Sequence, residues 1–214
     1  VIRATRSMLA AVCATVMLAS GCSTIIDGDA IATPGEEGKR ISNPKCNSVT
    51  VPLMEVPLDD DFEPRVEVPQ PEGWERVKRF ESGVVRIFLA GKDLESNGFV
   101  PNATVAIANL SGKASNEEAA FAAERSGLEA FGVTDLVEAP STICGYPSNT
   151  LTYNMALGPV PSHRVTTTIV AVKNGSKMFT VGVSVQALDD TVSGFDTARE
   201  TILAGLQVSP PATT

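Results

Sequence analysis

Histidine is nearly missing from these 214 residues: His163 is the only one, so a metal centre built on imidazoles is excluded. Positive charge is scarce too, with 17 Lys and Arg against 25 Asp and Glu for a net charge of −8. Two of those basic residues, Arg3 and Arg6, lie in the first 21 positions, which hold no acid, so the rest of the chain is more acidic still. Such a balance repels nucleic-acid phosphates and argues against a DNA- or RNA-binding role. Phosphate-cradling loops are absent, whether Gly-x-x-x-x-Gly-Lys-Ser/Thr or Gly-x-Gly-x-x-Gly after a strand, and so is the Gly-x-Ser-x-Gly elbow of a hydrolase. No cofactor is expected. The content of 43% hydrophobic and 20% charged residues suits one modest globular domain with further segments that do not fold by themselves.

What is present begins with a leader. Arg3 and Arg6 supply a positive start, and residues 8–19 form an apolar stretch too short for a spanning helix, which needs ~20 residues. The segment ends Leu18-Ala19-Ser20-Gly21-Cys22, which resembles the lipobox at which bacterial signal peptidase cuts to leave an acylated cysteine. Each buried CH₂ of an acyl chain contributes ~0.8 kcal/mol, so two or three long chains hold a protein on a membrane. The sequence thus predicts a lipid anchor at Cys22 and a position on the extracytoplasmic face of a bacterial cell membrane.

Of the four cysteines, Cys13 falls in the leader and Cys22 is the anchor, leaving Cys46 and Cys144 as an even pair in an oxidising compartment. Both sit in turn-like surroundings, and a disulfide between them is expected. Two separate buried thiols, or a reactive cysteine, is the alternative; reactivity wants a nearby His or Lys, and none stands beside Cys144 in sequence.

Four regions follow from the pattern: a signal peptide over 1–21, a lipidated tether over 22–48, one domain over 49–209 and a frayed tail over 210–214. The tether is polar, with Gly and Pro and no periodicity. In the domain, residues 177–187 alternate strictly, and the β-branched stretch 165–173 is joined to them by Asn174-Gly175, a type I′ hairpin signal. Further strands are expected at 84–90, 103–110 and 150–156, with edge pieces at 49–53 and 65–68. A capping box at 115–118 opens a helix running to Phe131, with Phe121, Leu128 and Phe131 on one side and Gly132 at its end. A second helix, from about 190 or 193 to 204, carries Phe195, Ala198 and Ile202 at helical spacing. The expected class is α+β, an antiparallel sheet flanked by helices.

Few residues offer chemistry. His163 opens a strand, where a structural imidazole outweighs a general base. Asp59, Asp60, Asp61 and Glu63 form the densest acid run; lacking EF-hand spacing, it reads as a solvated loop and not as a calcium site. Trp74, the sole tryptophan, follows a Pro-Glu-Gly turn and is either a core anchor or the lip of a sugar or lipid pocket.

The order of features resembles the LpqN/LpqT-type lipoproteins of mycobacteria and related actinobacteria. Those features are the lipobox at Cys22, the tether, Pro71-Glu72-Gly73-Trp74, the middle helix, Cys144-Gly145-Tyr146-Pro147-Ser148, the β-rich stretch to Gln186 and the closing helix and strand over 198–208. The resemblance implies a PsbP/Mog1-like α/β/α sandwich. It also implies an envelope protein without catalytic activity, some relatives being linked to glycolipids or to partners in mycolic-lipid export. The expected function is a non-catalytic, membrane-anchored lipoprotein that binds an apolar or glycolipid ligand or an envelope protein. A scaffold with no small ligand is the rival, and an envelope hydrolase using His163 a distant third.

Overall fold

The computed structural model describes residue 43 and residues 45–211. The leader, the anchor at Cys22 and most of the tether lie outside the described residues, as do the last three positions of the tail. Along the chain run β1 (Leu53–Glu55), β2 (Arg65–Pro69), β3 (Trp74–Arg76), β4 (Val85–Gly91), β5 (Asn102–Asn109), α1 (Glu117–Ala130), β6 (Thr134–Ile143), β7 (Tyr146–Leu157), β8 (Val160–Asn174), β9 (Lys177–Gln186), α2 (Phe195–Ala204) and β10 (Gln207–Ser209). Seven strands make one antiparallel sheet in the order β3-β4-β5-β9-β8-β7-β6, and β1-β2-β10 make a second.

The alternation in β9 sets the two faces of the large sheet. Phe179, Val181, Val183 and Val185 are buried on one face, while Thr180, Gly182, Ser184 and Gln186 take the other. The apolar face, continued by Ile87, Leu89 and Val105, meets the small sheet and α2; Val66, Val68, Phe195, Ile202, Leu206 and Val208 complete this main core. Each such side chain fully withdrawn from water contributes ~1.5–3 kcal/mol. On the opposite face α1 lies over β8 and β9. There Ala120 meets Ala171 and Met178, and Phe121 and Leu128 pack on Leu151, Tyr153, Val165 and Ile169. The class is α+β, antiparallel sheets between two helices.

Several local expectations shift. The N-cap of α1 is Asn116, one residue beyond Ser115: its side chain accepts the Ala119 N–H at 2.8 Å, and with Ala119 at N3 no reciprocal glutamate bond forms. Phe131, expected on the buried side, is 80% exposed because it caps the helix past the edge of its packing surface. The hairpin at 174–175 is present, but Asn174 stays in β8 paired with Lys177; Gly175, at φ 59°, is the first central residue, which makes the turn type II′. Pro52 still accepts the Gln70 N–H at 2.8 Å but has no N–H to give in return, so β1 starts at Leu53 and not at 49. β2 is no edge piece but the centre of the second sheet, because β10 returns to pair with it. Finally β6, an unforeseen strand, is an exposed edge carrying Pro140 and a register shift between Thr134 and Val137. None of its residues is buried and an edge tolerates proline, so it lacks the apolar alternation of the centre.

Candidate functional site

Cys46 and Cys144 form a disulfide. Cys144 and Gly145 make the β6–β7 turn with φ of 53° and 82°, the paired positive values of type I′. This presents the sulfur to the C-terminal strand, where the Val208 N–H points at Cys144 Sγ from 3.2 Å. The Asn43 amide donates to the carbonyls of Cys144 and Val208, each at 3.0 Å. Asn47 donates to Ala204 O, and Gln207 donates back to Asn47 O. Residues 45–48, assigned to the tether by composition, are therefore fastened to the domain. Composition misses this because the bonds come from residues about 100 or more positions away.

Trp74 is buried, 2% exposed, within the main core, so it cannot form the lip of a pocket and serves as the core anchor. Its indole lies against the backbone of Gly91, where an added Cβ would come within 2.8 Å of Cε2. His163 is likewise buried, with Nδ1 2.9 Å from Pro161 O and Nε2 3.0 Å from Gln186 Oε1. Gln186 in turn donates to Asn102 Oδ1 at 2.8 Å, so the imidazole joins β8, β9 and β5. The acid run is not a freely solvated loop. Asp59 and Glu63 reach Arg86 Nη2 at 2.8 and 3.0 Å, and both Glu63 and Arg86 are buried. Among the described residues no group of three or more His, Cys, Asp or Glu is arranged to hold a metal.

Two open clefts gather polar side chains. The first, about 440 Å³, lies between the start of α2 and the threonine-bearing face of β7 and β8, lined by Thr152, Arg164, Thr166, Asp190, Asp196 and Arg199 among others. The register places Thr152 opposite Thr166 and Asn154 opposite Arg164, so alternate residues of both strands offer polar groups to one face. Arg199 reaches Asp196 one helical turn away at 3.0 Å, whereas Arg164 is exposed and has no ionic partner among the described residues. Beside the cleft the Thr191 hydroxyl and N–H hold the Asp189 carboxyl below its usual range. On the other face of the sheet, burial pushes the Tyr153 hydroxyl up, and it bonds to Thr167 at 3.0 Å. The second cleft, about 470 Å³, is lined by Lys113, Lys173, Lys177, Ser115 and Ser176 among others.

Sequence reasoning missed Arg164 and Arg199. The one available signal was the threonine at every second position of strands otherwise built for burial; that α2 starts above them depends on a chain return about 30 residues later.

The family described as Probable lipoprotein LpqN matches residues 46–209. Among curated proteins no significant sequence match was found. Among solved structures, LpqN of Mycobacterium tuberculosis, described as involved in cell envelope biogenesis, is similar at 14% identity and a TM-score of 0.56, covering 74% of this chain and 92% of that one. PsbP of the cyanobacterium Synechocystis matches at 15% identity and 0.44, over 76% and 96% of the two chains. The Ran-binding protein Mog1p of Saccharomyces cerevisiae matches at 12% and 0.43, over 74% and 96%. With the family match spanning residues 46–209, from the disulfide-bonded arm to the last strand, the chain belongs to the LpqN lipoprotein family.

Proposed function

We propose that the protein is a non-catalytic lipoprotein of the cell envelope, held by acyl chains on Cys22 at the extracytoplasmic face of the membrane, whose domain binds the hydroxyl-rich headgroup of an envelope glycolipid. Family membership supports the envelope setting, as does the role in envelope biogenesis attached to the M. tuberculosis relative. On this reading residues 1–21 are a signal peptide and the tether that begins at Cys22 is lipidated. His163 has both ring nitrogens against the carbonyl oxygens of Pro161 and Gln186, which favours a structural imidazole over a general base.

The observation that carries the ligand class is the cleft of Thr152, Arg164, Thr166, Asp190, Asp196 and Arg199. It is open and lined by donors and acceptors, which suits a polyhydroxylated headgroup, while enclosing an acyl chain requires an apolar cavity. A protein partner is the second reading, favoured by the apolar Phe131 and Val137, 80% and 63% exposed, with Val137 on the unpaired edge β6.

Native mass spectrometry with lipid extraction, on protein produced in an actinobacterial host, tests the first reading. A discrete glycolipid is expected, lost on Arg164→Glu with the fold intact. A clean apo mass across preparations removes the glycolipid reading and turns attention to crosslinking at β6.

A further inference from the structure

The second cleft stands out against the charge of the molecule. In a chain of net charge −8, it is lined by Lys113, Lys173 and Lys177 with Ser115 and Ser176, and by no acidic residue. Its walls are fixed by backbone bonds: Leu110 N–H donates to Met178 O at 2.8 Å, and Met178 N–H to Ser111 Oγ at 3.2 Å. Lys177 lies 3.5 Å from Asp60 Oδ2 and stands 3.5 Å from the centre of the Phe62 ring. Lys113 and Lys173 are exposed and have no ionic partner among the described residues. Of the nearby acids, Asp59 and Glu63 are engaged by Arg86 and Asp60 by Lys177, while Asp61 and, at the start of α1 beside Ser115, Glu117 and Glu118 have no ionic partner among the described residues and offset part of the lysine charge. Phe62, 53% exposed, sits beside the hairpin because Asn174 donates to its carbonyl at 3.2 Å.

Topology fixes where this cleft lies. β7 and β8 are antiparallel with Ser148 opposite Val170, so the β8–β9 turn is at the same end of the sheet as the β6–β7 turn. The latter carries Cys144, bridged to Cys46, and Asn43, the first described residue, donates to Cys144 O there. The 20 residues between Cys22 and Asn43 let the two lie at most about 75 Å apart even when fully extended. The lysines and the start of the described arm thus share one end of the domain, whereas Arg164 lies about 30 Å further along β8 from Lys173.

We infer that the cleft of Lys113, Lys173 and Lys177 receives the phosphates of anionic headgroups, and that this end of the domain rests on the bilayer. The inference rests on the lipid-anchored reading for its geometry. Anionic leaflets attract clustered lysines, and Phe62 offers an aromatic ring at the level of the headgroups. So oriented, the Arg164 cleft faces away from the anchoring membrane.

The test uses residues 22–214 with Cys22→Ser, made without the leader in an oxidising host so that no acyl chain contributes. Co-sedimentation with vesicles of phosphatidylglycerol and phosphatidylcholine is expected at low salt, weakening as salt rises, with little binding to pure phosphatidylcholine. Lys113→Gln with Lys173→Gln should weaken it roughly 25-fold, at about fivefold per lysine. Equal binding to neutral vesicles, no binding to anionic ones, or an unchanged double variant overturns the inference. So does saturable binding of inorganic phosphate without vesicle binding, which would assign the cleft to a soluble anion. Failure of the anchor reads out separately, as wild-type protein from cell membranes lacking an acyl mass on Cys22.

Discussion

Removing the Cys46–Cys144 bridge should cost a large part of the stability of this domain. The bridged cysteines are 98 residues apart, and the chain-entropy model assigns about 4.7 kcal/mol to a closed loop of about 100 residues. The hydrogen bonds of the arm, from Asn43 to Cys144 O and Val208 O and from Asn47 to Ala204 O, survive the substitution only while the arm stays docked. Against a total of ~5–15 kcal/mol for a typical domain, a loss of about 3–5 kcal/mol is expected for Cys46→Ala with Cys144→Ala. In urea, at a slope of about 2 kcal/mol/M, the midpoint should fall by about 2 M, and reductant should produce the same shift in the wild type. A second readout isolates the arm. The exposed Lys45 packs its side chain on Gly145, so trypsin should cut after Lys45 in reduced protein before global unfolding and spare the oxidised form. A midpoint shift under about 0.5 M, with cleavage equal in both forms, would refute the claim that the bridge staples the arm to the sheet.

The buried ion pair and the acid limb of stability give two further predictions. Glu63→Ala leaves the buried Arg86 guanidinium with only Asp59 and the Pro57 carbonyl and should cost about 1.5–3 kcal/mol, while adding Arg86→Met should recover most of that loss; a urea double-mutant cycle with no coupling would defeat this account. Arg76 hydrogen-bonds Glu81 at 2.6 and 2.9 Å and holds its carboxyl below the usual carboxylate range. A carboxyl depressed on folding contributes stability above its unfolded value of about 4.3, and that contribution is lost as pH falls through the lower folded value. Glu81→Gln should therefore flatten the fall in unfolding free energy below about pH 4.3, and superimposable acid limbs for the two proteins would count against the pair.

Local chemistry was legible wherever one segment carries its own rule. The alternation of β9, the Gly-bearing turn before it, the apolar stripe of α2 and the αL glycine closing α1 are dictated by residues within a few positions, because strand faces and helix stripes repeat with short periods. The pairing of Cys46 with Cys144 was also within reach, since the leader left two thiols for one oxidising space. Other assignments needed the whole chain. Trp74 and His163 carry chemistry that a sequence cannot place inside or outside, and packing against Gly91 and the Gln186–Asn102 network settled both as interior. Glu63 belongs to a loop by composition and to the interior by contact with Arg86, 23 residues on. β6 lacks an apolar signature because, at the edge of the sheet, none of its residues is buried. The two polar clefts depend on strands and helix ends that meet only after the sheet has formed. Sequence by itself determined the central elements and their faces, β8 and β9 with α1 and α2, since short-range sterics and hydrophobic periodicity decide those. Tertiary structure alone decided which faces found cover and which polar groups stayed open to a partner, because burial belongs to the assembled sheets and not to any residue within them.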